Sequence, residues 1–143
     1  TMPIRNRAGD IPPEDQIPIE PSGAKGQRRQ QRFEVNRPGF VMLLDASTQT
    51  IGDANSCGIH DVSRSGALLV CYGGFEVGAT IVIFPVPAKP HPPSAWCAKI
   101  AHVEALAHGS CRMGVRFISI SNALRPLVEL AAQRVGIELP KAA

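Results

Sequence analysis

Aromatic side chains make up only 5% of the 143 residues, with one Trp and one Tyr. A surface that stacks successive nucleobases needs more rings than that, so the composition argues against a single-strand binding track. No apolar run approaches the roughly 18 to 20 residues needed to cross a bilayer. The opening TMPIRNRAGDIPPEDQ lacks the continuous apolar stretch of a secretory signal. A cytoplasmic protein with no membrane partner is the expectation. Cys57, Cys71, Cys97 and Cys111 form no CxxC pair and lie in strand-like segments, so they read as small buried hydrophobes in a reducing compartment. Net charge is also scarce: +3, with a pI near 8.9, is too weak a field to coat nucleic acid or an anionic membrane. Electrostatic recognition must therefore be local.

What is present suits one domain, since 44% hydrophobic residues in a chain of this length is enough for a single core. Residues 1–26 hold Pro3, Pro12, Pro13, Pro18 and Pro21, no aromatic and interleaved charges, which predicts a flexible proline-rich tail. A folded region is expected over 27–137, followed by a short tail, 138–143. Six short β-favouring runs occur at 40–46, 56–62, 66–72, 79–84, 96–106 and 111–118, separated by Gly, Pro, Ser and Asp. Strict alternation in the fifth run would put Trp96, Ala98, Ile100 and His102 on one face. Short connections suit antiparallel neighbours. The longer link 85–95 is proline-rich, cannot join a central strand, and is expected to project.

The period then changes. Leu124, Leu127, Val128, Ala131 and Val135 recur at helical spacing. Ser121 or Asn122 can cap, Pro126 fits only the first turn, and Gly136 can end the helix. The predicted architecture is mainly β: a six-stranded antiparallel barrel, which removes exposed sheet edges, with one C-terminal helix packed on it.

Two constellations stand out. Between positions 28 and 37, four arginines (Arg28, Arg29, Arg32, Arg37) accompany one acid, Glu34. Such a cluster, set just before the first strand, is aimed at an anion. Further on, HDVSRSGALL places Asp61, Ser63 and Gly66 in the pattern DxSxxG before a strand. As a bare turn this needs no ligand, because Asp and Ser bond nearby amides and Gly takes conformations other residues resist. Taken together, however, Arg28 and Arg32 as RxxxR, then DxSxxG across a strand, then GVRF at 114–117 and a trailing helix, resemble the PilZ domain family from about Gln27 to Val135.

That resemblance implies a bacterial receptor for cyclic di-GMP (c-di-GMP), not an enzyme, with Arg28, Arg29, Arg32, Asp61, Ser63 and Gly66 at the site. The ligand's chemistry agrees with the residue types. Guanine O6 and N7, and the phosphate oxygens, suit arginine forks; the N1–H and N2–H donors suit the Asp61 carboxylate; the Ser63 hydroxyl can donate to phosphate; Gly66 lets the ligand lie close to the backbone. The ligand is expected to order the arginine segment and so signal to an unidentified partner protein. No catalytic residues, metal or cofactor are expected. Cys57 with His60, and Cys97 with His102, are each an odd number of positions apart and so on opposite strand faces. His60 and Asp61, as sequence neighbours, also read as facing opposite sides. The alternatives are a PilZ-like interaction module that binds no nucleotide and an oligonucleotide-binding barrel.

Overall fold

The computed structural model describes residues 33–88 and 92–140. Six strands close on themselves: β1 (Phe33–Asp45), β3 (Asn55–Val62), β4 (Gly66–Tyr72), β5 (Thr80–Pro85), β6 (Trp96–Ala105) and β7 (Ser110–Ile118). Around the barrel the order is β1, β3, β4, β7, β6, β5, and β5 pairs back onto β1, all antiparallel. Each expected run forms a strand of this barrel. A further two-residue strand, β2 (Thr50–Ile51), pairs with the end of β1. It is joined by a turn in which the Asp45 carboxylate accepts from Ser47 N, Ser47 Oγ and Thr48 N.

Alternation along the strands sorts the apolar residues into two cores. Val41, Ile59, Leu69, Ile81, Ile83, Ala98, Ile100 and Met113 fill the barrel interior. Their neighbours Met42, Leu44, Val82, Phe84 and Cys97 point outward and are covered by α1 (Arg125–Arg134) through Leu127, Val128, Ala131 and Ala132. The helix starts at Arg125, but its N-cap position is Leu124 and no side chain caps it, so neither Ser121 nor Asn122 takes the expected capping role. Ser121 Oγ instead accepts from Leu124 N, ahead of the helix, and Pro126 occupies the first turn, where no intrahelical partner is lost. It ends with Gly136 at φ +74°, Gly136 N on Gln133 O and Ile137 N on Ala132 O, the paired bonds of a Schellman motif, with Ile137 buried on the helix-side core.

Because α1 contacts β1, β2 and β5, no helix among the described residues lies over the outer face formed by β3, β4, β7 and the distal part of β6.

Three features correct the reading from sequence. Pro85 does not stand outside the sheet: it is buried, closes β5 and is in register with Gly39. Val86 N then donates to Pro38 O, and Arg37 donates from Nε and Nη2 to Val86 O, tying the start of the proline-rich link to β1. One of the four clustered arginines is thus occupied by a carbonyl. Second, β6 slips one register between Ile100 and His102, so Val103, not His102, joins Trp96, Ala98 and Ile100 on the interior face. Third, β3 slips at His60, between Ile59 and Asp61.

All four cysteines are buried free thiols, Cys57, Cys71 and Cys111 in the interior and Cys97 beneath the helix.

Candidate nucleotide-binding site

The DxSxxG segment is the connection from β3 to β4. Two register slips meet at His60: β1 fits two residues, Val35 and Asn36, against it, and β4 fits none. Asn36 absorbs the first slip with φ +42°, a conformation Asn tolerates better than most residues. The second leaves Ile59 facing inward opposite Leu69 and turns Asp61 to the outer face opposite Leu68, partly exposed. His60 is exposed as well, so the expectation that His60 and Asp61 face opposite sides fails because strict alternation stops at this bulge.

Beyond Val62 the chain reverses tightly. Ser63 N donates to Gly66 O at 2.8 Å, Ser63 Oγ lies 3.4 Å from the same oxygen, and Ser65 N donates to Ser63 Oγ at 3.3 Å. Ser63 is buried at 7% exposure, so its hydroxyl is spent on the turn, as such residues do when they mimic a backbone turn. Gly66 has a comparable structural reason: a Cβ there would collide with the carbonyl oxygen of Val115 on β7. Arg64 and Ser65 at the tip are exposed.

Arg28, Arg29 and Arg32 lie outside the described residues. What the structure does fix is where their segment attaches, since Phe33 is in register with Val62 and Glu34 with Asp61. The backbone entering β1 therefore begins at the barrel end that carries the DxSxxG turn. β7 finishes at that same end: Arg116 is in register with Gly66, and Phe117 N donates to Ser65 O.

The metal alternatives fare differently from one another. Cys57 faces the interior and His60 the solvent, as the parity argument expects. For Cys97 and His102 that argument fails, because the β6 slip puts both on the outer face. Yet Cys97 is in register with Ile118 and His102 with Gly114, roughly 13 Å apart along β7. Among the described residues no group of three or more His, Cys, Asp or Glu side chains is arranged to hold a metal ion. The thiols are also poor ligands at neutral pH, since burial pushes Cys57 and Cys71 up to about 12 and Cys97 to about 11.

A search of curated proteins finds no match. Among solved structures the chain is similar to "PilZ domain with c-di-GMP of YcgR from Escherichia coli", at 13% identity and TM-score 0.49, covering 77% of this chain and 94% of that one. It is also similar to YcgR of Escherichia coli in complex with c-di-GMP, at 14% identity and TM-score 0.47, covering 77% and 46%. A third likeness is to the Bacillus subtilis inhibitor of motility MotI/DgrA, at 14% identity and TM-score 0.46, covering 88% and 56%. The chain thus spans about half the length of the latter two. The family model described as PilZ domain matches residues 26–133, well over half of the sequence, and the chain belongs to the PilZ domain family.

Proposed function

We propose that this chain is a bacterial receptor for c-di-GMP, acting in the cytoplasm through a domain spanning residues 27–137. The nucleotide would lie on the outer face that α1 leaves uncovered, at the barrel end where β1 begins and β3 turns into β4. One observation carries the reading: the register of Phe33 with Val62 and of Glu34 with Asp61 attaches the segment bearing Arg28, Arg29 and Arg32 beside the DxSxxG turn. Family membership supplies the ligand class.

In this reading Asp61 accepts from guanine N1–H and N2–H, which its outward, partly exposed position allows. Arg28, Arg29 and Arg32 take phosphate oxygens and the O6/N7 edge. Ser63 and Gly66 contribute mainly by shaping the turn that presents Asp61. Binding draws the arginine segment onto the barrel, and the altered surface is what a partner protein reads. The chemistry is recognition without turnover.

The buried Ser63 and the close packing at Gly66 favour a second reading, because both residues are explained by the turn alone. On that view the domain docks a protein and takes no nucleotide. Calorimetric titration with c-di-GMP separates the two. The receptor reading expects a saturable isotherm, ligand recovered unchanged, and at least about a tenfold loss of affinity in Asp61→Ala and in Arg32→Ala, as befits one charge-assisted contact each. A silent wild type leaves the docking reading in place.

A further inference from the structure

Gly66 on β4, Arg116 on β7, Lys99 on β6 and Thr80 on β5 form one row across the barrel wall, each in register with the next. Val115 and Phe117, either side of Arg116, pack into the interior core, as do Ala98 and Ile100 either side of Lys99. Arg116 and Lys99 therefore project outward, and both are exposed. Like charges directly opposite on neighbouring strands repel. Elsewhere on the same two strands the chain avoids this: Arg112 stands opposite Glu104, with Nη1 2.8 Å from Oε1. Among the described residues no carboxylate pairs with Lys99 or Arg116. Arg64, exposed at the tip of the turn next to this row, adds a third cation.

The surface between this row and Asp61 is low. Leu68 is opposite Asp61, Gly114 is opposite Leu68, and the space above Gly114 is occupied by the His102 ring, which a Cβ at Gly114 would strike. Two glycines, one leucine and one imidazole thus make the floor, with a carboxylate on one side and two cations on the other. Two strand spacings separate β3 from β7, roughly 10 Å. A nucleotide whose base is held by Asp61 must keep its phosphate away from that carboxylate, and this floor leads it to Arg116 and Lys99.

We propose that Arg116 and Lys99, with Arg64 at the rim, form a phosphate subsite that takes a phosphodiester of the cyclic dinucleotide held at Asp61. The proposal rests on the receptor reading and adds to it a second anion-binding element on the outer wall, separate from the arginines before β1. The like-charge pair is retained because bound phosphate relieves its repulsion.

The test is a c-di-GMP titration of the full chain at low and high salt, on wild type, Arg116→Ala, Lys99→Ala and Arg112→Ala. Each of the first two variants is expected to lose about tenfold in affinity and part of the salt dependence. Arg112→Ala, which removes a cation from β7 outside the row, is expected to bind as wild type does. Thermal melts of Arg116→Ala and Lys99→Ala should be no lower than wild type, because a repulsion has been removed. If wild type binds while both variants bind within about twofold of it at either salt, the subsite is overturned and the receptor reading stands. If wild type does not bind, the receptor reading falls and takes the subsite with it.

Discussion

A Cβ at Gly66 meets the Val115 carbonyl oxygen, so alanine there must push β4 away from β7 at the first rung of their ladder. Gly66→Ala is expected to destabilise the fold by about 1–3 kcal/mol, the usual range for an overpacked site, lowering the melting temperature by several degrees. Gly74→Ala is the control, because a Cβ at Gly74 meets nothing within 4 Å and its φ is not positive; its effect should stay within about 0.5 kcal/mol. Equal melts for the two variants would refute the packing account. The comparison also bears on function: weakened nucleotide binding in Gly66→Ala would not by itself show a ligand contact. Asp61 is the better probe, since its outward placement follows from a bulge and it is partly exposed. In sequence Gly66 could be read as glycine for a ligand. Only the register with Arg116 exposes the nearer reason, a neighbouring strand that is distant along the chain.

At the scale of elements, the buried thiols tie strand pairing to pH. Cys57, Cys71 and Cys111 are in register across β3, β4 and β7, and the sulfurs of Cys71 and Cys111 lie 3.9 Å apart. Burial raises Cys57 and Cys71 from about 9 to about 12, and for Cys71 the neighbouring Cys111 thiol adds to the effect. Raised folded values mean that the native state holds these protons more tightly than the unfolded chain. Stability from this source is full below about pH 9 and is lost as pH climbs towards 12. Spectroscopic titration of thiolate should find native Cys57 and Cys71 still protonated at pH 10, whereas the urea-unfolded chain titrates near 9. Native ionisation of all four thiols near pH 9 would contradict the assignment of these residues to the core.

The same scale shows what was legible from sequence. Strand runs and helix limits depend on local periodicity, on Pro126 and on Gly136, and these residues act within a few positions of themselves. The slips at His60 and between Ile100 and His102 depend on partner strands, so an alternation count misassigned Asp61 and His102. Strand β2 depends on pairing with Leu44 and Asp45, and two residues leave no periodic trace.

The whole molecule is asymmetric: one side of the barrel is sealed by α1, and the other carries Asp61, Arg116 and Lys99 around a low floor. The DxSxxG motif was legible as residue types in order, while Arg116 and Lys99 join it only when the barrel closes and brings β6 and β7 beside β4. If c-di-GMP bridges the segment before β1 and the β3–β4 turn, both must lose solvent exchange together on binding. Hydrogen exchange with and without c-di-GMP tests this most directly. The account predicts added protection in peptides covering residues 25–35 and 59–68, and little change in the Asp45–Ile51 hairpin turn, which belongs to a different part of the barrel. Protection absent from both motif segments, or confined to that distant turn, would contradict it.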